Sequence, residues 1–303
     1  MNSCLTFIHA LSPLHAGTGQ GIGVIDLPIA RERATNLPFV PGSTVKGVLR
    51  DECESSAKHQ GRCDNIFGPK VVDDQSSYAG SANFTDQRLL CLPVRSLLGT
   101  FAWVTSPFVL QRLLRDALDA EIDALPASVP VLGGEEENCC VCEPCALRLT
   151  QGVIMLEDLD LTSVADGCEN TAAWANWIGK QVFPESAEWQ EMFRQRFCIV
   201  HDDVLNFLVD TATEVTARNK LLDDAKTVEK GGLWYEEALP TETILYGLLV
   251  AVEVKADAAT VFAAVKDITK TPLQMGGSAT IGRGLCRVLL KVPEAADPNR
   301  GEA

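Results

Sequence analysis

No apolar run in this chain is long enough to cross a membrane. The longest, Ile244 to Val252, falls well short of the roughly 20 residues a helical span requires. The first residues lack the basic start, apolar centre and small-residue cleavage site of a secretory signal, so a cytoplasmic protein with no membrane partner is expected. The cytosol reduces most disulfides, so the eleven cysteines are expected to be free thiols or metal ligands. Positive charge is scarce: 26 Lys and Arg against 41 Asp and Glu give a formal net charge of −15. That balance argues against indiscriminate binding to nucleic acid. Nucleotide-cofactor fingerprints are missing as well. "GTGQGIG" (17–23) runs into "VIDLP" rather than a helix, and "GSTVKG" (42–47) lacks the Walker order.

What is present is an ordinary globular composition, 46% hydrophobic and 22% charged over 303 residues, enough for one elaborate domain or two modest ones. The charge is unevenly spread. Residues 116 to 169 carry thirteen acids against Arg148 alone, a balance of −12. Residues 1 to 50 carry four cations against Asp26 and Glu32, and residues 270 to 293 carry Lys270, Arg283, Arg287 and Lys291 with no acid. Binding responds to the local field, so an acidic flank leaves room for a basic face elsewhere.

Periodicity predicts a strand at 4–10, a helix at 43–53 with Ser43 as its cap, and strands at 81–86 and 91–96. A helix follows at 107–119, with Ser106 as cap and Pro107 in the first turn. A loop rich in acids and cysteines is expected at 121–146, a strand at 152–161 and an amphipathic helix at 184–197. The last third reads as a strand (241–254), a helix (257–268, capped by Asp257), a Gly-rich loop (273–284) and a strand (285–292). Strand, helix and strand at both ends predict an α+β protein with a ferredoxin-like (RRM-like) core. The expected layout is one domain over 1–292. Its core comes from 1–120 and 241–292, with an insertion at 121–210 and a hairpin at about 211–240. A disordered tail is expected from Pro293.

The stretch "RATNLPFVPGSTVKGVLR" (33–50) carries a chemical signal of its own. A helix N-terminus offers unpaired N–H groups to a phosphate, and Ser43 and Thr44 add hydroxyl donors. Lys46 and Arg50 stand four apart, on one helical face. The plain alternative is a capped, solvated amphipathic helix.

Together with "LHAGTGQGIGVIDLPIARE" (14–32), "IFG" (66–68), "LPVRSLLGTFAWVTSPFVLQRL" (92–113), "LWYEEALPTETILYG" (233–247) and "LQMGGSATIGRG" (273–284), that stretch resembles the RAMP superfamily of CRISPR effector proteins. Within it, the sequence is similar to the repeated, target-cleaving backbone subunit of the type III-B (Cmr) complex. "VIDLPIARE" and "AWVTSPFVL" favour this branch over the type III-A (Csm) backbone subunit. The resemblance implies a protein that assembles with copies of itself and other Cmr subunits along a CRISPR guide RNA. It also implies a thumb hairpin that displaces a base pair at regular intervals, and metal-dependent cleavage of complementary single-stranded target RNA beside each displaced nucleotide.

On that resemblance Asp26 takes the catalytic role and would hold Mg or Mn together with substrate; taken alone it reads as a turn residue. RNA brings its own nucleophile, the 2′-OH, so alignment, charge neutralisation and proton transfer are what the protein must supply. His15 is an acid or orienting group, or simply structural. The family places an acidic and an aromatic residue near the cleavage centre, matched by Glu236 and Tyr235. A second aromatic usual before Leu-Pro is replaced by Ala238. RNA contact is expected from Arg31, Arg33, Ser43, Thr44, Lys46 and Arg50. The thumb adds Arg218, Lys220, Lys226 and Lys230, with Leu221 or Leu222 as an apolar wedge. The Gly-rich loop adds Gly276, Gly277 and Arg283, though such a loop also serves as a tight turn that only packs.

"NCCVCEPC" places Cys139, Cys140, Cys142 and Cys145 at overlapping C-x-x-C spacings that suit zinc, with Cys168 or another residue recruited to relieve the short span. Two rivals to the nuclease expectation follow: a backbone subunit that binds without cutting, and a zinc or thiol protein built on this cluster.

Overall fold

The computed structural model describes residues 2–19, 25–59, 61–70, 78–133, 135–221 and 227–293. In chain order the first strands are β1 (Ser3–Ala10), β2 (Phe39–Val40), β3 (Ala82–Phe84), β4 (Gln87–Arg95) and β5 (Phe101–Thr105). β6 (Asn138–Val141), β7 (Val153–Leu156), β8 (Leu159–Ser163) and β9 (Phe197–Val200) follow. The last are β10 (Glu214–Leu221), β11 (Val228–Ala238), β12 (Ile244–Ala251), β13 (Leu273–Gln274) and β14 (Leu285–Lys291). The helices are α1 (Gly42–Ser55), α2 (Cys63–Phe67), α3 (Pro107–Asp119), α4 (Thr171–Val182), α5 (Ala187–Arg196), α6 (Asp202–Thr211) and α7 (Ala258–Ile268).

The core sheet runs β14-β1-β12-β4, antiparallel throughout, with β3 also beside β12. α1 links the first core strand to the second, and α7 links the third to the fourth. This is the ferredoxin-like order the terminal patterns predict. β1 is buried along all eight residues, as a central strand covered on both faces must be. α3 and α4 pack on it, while α1 and α7 pack on each other. Phe7, Leu5 and Ile8 are fully enclosed, and each such side chain contributes roughly 1.5–3 kcal/mol by leaving water.

Residues 121–210 extend the same sheet rather than forming a separate layer, in the order β4-β5-β9-β6-β8-β7. The expected single strand at 152–161 is a hairpin, β7–β8, turning at Glu157 with φ of 49°. The expected loop at 121–146 contains β6. α4 and α6 were not foreseen: α4 buries Trp174, Ala175, Trp177, Ile178 and Val182, too much of its circumference for a clear amphipathic stripe. The hairpin predicted at 211–240 is β10–β11, an antiparallel pair apart from the large sheet. Leu222, Lys226 and the tail from 294 lie outside the described residues, as do the side chains of Leu221 and Lys230. Among the described residues no helix is long and apolar enough to cross a membrane.

Candidate functional site

β11 pairs with β10 on one edge and collects the N-terminal segment on the other. Leu27 lies parallel to it: its N–H donates to the Tyr235 carbonyl and its carbonyl accepts from Glu237 N–H, both at 3.0 Å. Further along, Leu14 and Leu239 exchange both backbone bonds at 2.9 Å. Backbone groups of a strand alternate between its edges, so residues 235, 237 and 239 all serve this second edge.

Two of the expected residues hang from it. Asp26 is exposed, and its Oδ2 accepts from Tyr235 N–H at 2.7 Å. One oxygen is thus pinned by backbone, leaving Oδ1 for a ligand. His15 is buried, with Nδ1 2.6 Å from the Glu237 carbonyl. A carbonyl oxygen only accepts, so Nδ1 carries the hydrogen and Nε2 the lone pair of the neutral ring. Glycine makes this packing possible. A Cβ at Gly17 would lie 2.6 Å from Nε2, and one at Gly276, where φ is 75°, would lie 2.3 Å from the His15 carbonyl oxygen. Gly277 N–H donates to that same carbonyl at 2.9 Å. The Gly-rich loop therefore packs on His15.

Tyr235 and Glu236 are neighbours in a strand and so point to opposite faces. The Tyr235 ring is exposed. Glu236 is buried between two guanidinium groups, with Arg283 Nε 3.3 Å from Oε1 and Arg218 Nε 3.4 Å from Oε2. Arg283 is itself buried and donates to Thr216 Oγ1 at 3.2 Å. Burial raises the Glu214 carboxyl above its ordinary range, against the pull of Arg283. Lys220 is exposed and paired with Glu229 at 2.7 Å. In this arrangement Arg283 and Arg218 are engaged with protein acids, and Lys220 is the accessible cation of the three.

One residue escaped sequence reasoning. Glu237 is buried. Its Oε2 accepts from Ile29 N–H at 3.0 Å, and its Oε1 accepts from Arg31 Nη2 at 2.6 Å and Thr213 Oγ1 at 3.0 Å. The signal was the doubled acid in "YEEALP", whose members must face opposite ways. Arg31 also donates to the carbonyls of Asn36 (3.1 Å) and Val209 (2.8 Å), so it is a structural tie. Arg33 is exposed.

At α1 the structure corrects one expectation. The helix begins at Gly42 after Pro41, so Ser43 lies inside the first turn, where its side chain cannot cap. The Gly42 N–H instead donates to Asp86 Oδ1 at 2.9 Å, and a carboxylate already occupies the helix mouth. Ser43 is exposed and Thr44 half-buried. Arg50 is held by Glu54 (3.1 Å), Asp64 (2.7 Å) and the Gly68 carbonyl. Lys46 is half-buried and has no acidic partner among the described residues; burial, then the nearby Arg50, lowers its pKa.

The cysteines depart further from expectation. Cys139 and Cys140 are consecutive in β6 and face opposite ways, and Cys140 is bonded to Cys168. Cys139 instead faces Cys198 of the paired strand β9. Burial pushes the Cys142 thiol up to about 12. A zinc site on Cys139, Cys140, Cys142 and Cys145 does not fit this arrangement. The expectation of free thiols holds for seven cysteines, while Cys53–Cys63 and Cys140–Cys168 are disulfides.

Among the described residues no group of three or more His, Cys, Asp or Glu side chains is placed to hold a metal ion. Mg²⁺ commonly binds through one or two carboxylates plus substrate phosphates and waters. The half-free Asp26 carboxylate fits that mode, as one ligand among several from substrate.

A family model described as the RAMP superfamily matches residues 7–287. The CRISPR system Cmr endoribonuclease Cmr4 of Pyrococcus furiosus is 35% identical, with 96% of each chain covered. A crystal structure of oligomeric Cmr4 from the same organism superposes with a TM-score of 0.73 at 28% identity, covering 96% of this chain and 98% of that one. A type III-B Cmr-beta complex bound to cognate target RNA gives 0.71 at 18% identity, over 96% and 97% of the two chains, a likeness of fold. The chain belongs to the RAMP superfamily, in the branch of the Cmr4 proteins.

Proposed function

We propose that this protein is the repeated backbone subunit of a type III-B CRISPR effector. In this role it binds guide RNA in the cytoplasm alongside copies of itself and other Cmr subunits, and it cuts complementary target RNA at regular intervals in a metal-dependent reaction. The observation that carries the proposal is the edge of β11, where an exposed carboxylate, Asp26, and a histidine of fixed tautomer, His15, are held by backbone groups two residues apart.

The chemistry follows from what each group can do. The target's own 2′-oxygen attacks the adjacent phosphorus, the phosphorus–5′-oxygen bond breaks and the 5′-oxygen leaves with a proton from water, so positioning and proton management carry the reaction. His15 Nε2 can accept the hydroxyl proton, because Nδ1–H is committed to the Glu237 carbonyl. Asp26 would hold a divalent ion together with phosphate oxygens, and when bound such an ion neutralises charge developing on the scissile phosphate. The β10–β11 hairpin begins directly beside these groups, so a nucleotide it displaces from the duplex would lie near Asp26. Unpaired, that nucleotide can rotate toward the in-line geometry a regular duplex denies. Lys46 supplies phosphate contact on α1.

The test is a complex reconstituted with a defined guide and an end-labelled complementary RNA. Products at a constant spacing, lost on chelation of divalent metal, are expected. A target that stays bound and intact with Mg²⁺ present would leave only a binding role.

A further inference from the structure

Five residues from three segments meet at one residue of β11. Glu237 belongs to β11, and its carboxylate bonds Ile29 in the loop that follows Asp26, Arg31 two residues beyond, and Thr213 at the base of the hairpin. Its backbone serves two more: N–H to the Leu27 carbonyl at 3.0 Å, and carbonyl to His15 Nδ1 at 2.6 Å. Through Arg31 it also reaches the Val209 carbonyl at the end of α6.

We propose that Glu237 is a positioning residue for RNA cleavage: its ionised carboxylate fixes the strip bearing Asp26 against the strand edge bearing His15. This rests on the proposal that Asp26 acts on RNA. The loop needs such a tie. After Leu27 the backbone of Pro28 turns away from β11, its carbonyl accepting from Thr18 N–H at 3.4 Å, and the next donor on the β11 side is the buried Ile29 N–H, which Glu237 Oε2 accepts. Ile29 bridges Gly17 and Ala30 N–H bonds the Ala16 carbonyl at 2.8 Å, so the same contact steadies the segment that carries His15. Arg31 balances the buried charge, which would otherwise be strongly unfavourable.

Both carboxylate oxygens act only as acceptors, which gives a sharp test. Glu237→Gln keeps the shape but replaces one oxygen with a donor facing either Ile29 N–H or Arg31 and Thr213. In the assembled complex, the single-turnover rate at saturating target should fall by roughly 10- to 100-fold, the scale of a misplacement near 1 Å. Target Kd should change by less than about twofold and the cut spacing not at all, since the proposed Lys46 contact on α1 is untouched. Glu237→Gln with Arg31→Gln restores an acceptor opposite the new amide and should recover part of the rate, which general loosening of the fold would not do. Asp26→Asn is measured alongside. If Asp26→Asn abolishes cutting while Glu237→Gln cuts at the wild-type rate, the positioning role is overturned and the catalytic proposal stands. If Asp26→Asn cuts normally, the catalytic proposal falls and the positioning role falls with it. Should Glu237→Gln not assemble, Glu237→Asp, which keeps the charge on a shorter arm, decides: a wild-type rate overturns the role, and a reduced rate with unchanged Kd supports it.

Discussion

Lys46 and Arg50 look interchangeable in sequence, four residues apart on one face of α1, yet they should respond differently to removal. Arg50 is committed to Glu54, Asp64 and the Gly68 carbonyl. Lys46 is half-buried with no acidic partner among the described residues, and burial lowers its pKa. On the proposed function, this cation meets a phosphate of the guide. Losing one phosphate contact on a single strand should reduce the slope of log K against log salt by about 0.7. Lys46→Ala should therefore weaken guide binding by about fivefold near 0.1 M salt, flatten the salt dependence and leave the melting temperature nearly unchanged. Arg50→Ala takes the donor from the Gly68 carbonyl and breaks the ion pairs to the exposed Asp64 and to Glu54, which keeps Lys70, so it should lower stability by about 1 kcal/mol with the salt slope intact. Anisotropy titrations of labelled guide RNA at several salt concentrations, paired with thermal melts, separate the two outcomes. The reasoning fails if Arg50→Ala alone flattens the salt dependence while Lys46→Ala binds guide normally.

Two further tests address the scaffold. Burial opposes ionisation of Glu32, but hydrogen bonds from Arg112 (2.8 and 2.6 Å) and Thr35 hold its carboxyl below the ordinary range. A carboxyl lowered in the folded state stabilises above its unfolded pKa and loses that contribution as pH falls through the folded one. Urea denaturation should show Glu32→Gln less stable by about 1–2 kcal/mol at pH 7, with the gap closing as pH falls below the ordinary carboxylate range; a gap that persists in strong acid would contradict this. Gly276→Ala must accommodate φ of 75° and a Cβ 2.3 Å from the His15 carbonyl oxygen. It should lower the melting temperature by several degrees and slow cleavage, and an unperturbed variant would show the loop is free of His15.

Much of this was legible in the chain itself. The ferredoxin-like core, the Ser106 and Asp257 caps, and the hairpin at 214–238 follow from periodicity and local capping chemistry. The interior of the insertion did not, because α4 is apolar around most of its surface and β6 is short. Ser43 misled because Pro41 begins the helix one residue earlier, and the acid at its mouth, Asp86, comes from 44 residues away. The pairing of Cys140 with Cys168 hid for a related reason: β6 separates Cys139 from Cys140 by face, which spacing alone does not reveal. Glu237 went unnoticed because a strand's two faces are indistinguishable until its partners are placed.

The most direct measurement compares wild type with Asp26→Asn in the assembled, guide-loaded complex, scoring target binding and cleavage on the same samples. Asparagine keeps an oxygen for the Tyr235 N–H and loses the charge and the second acceptor oxygen. Binding within about twofold of wild type and cleavage slowed by at least about 100-fold is the expected result. Undiminished cleavage by a complex that still binds its target would show that the exposed carboxylate beside β11 is not where RNA is cut.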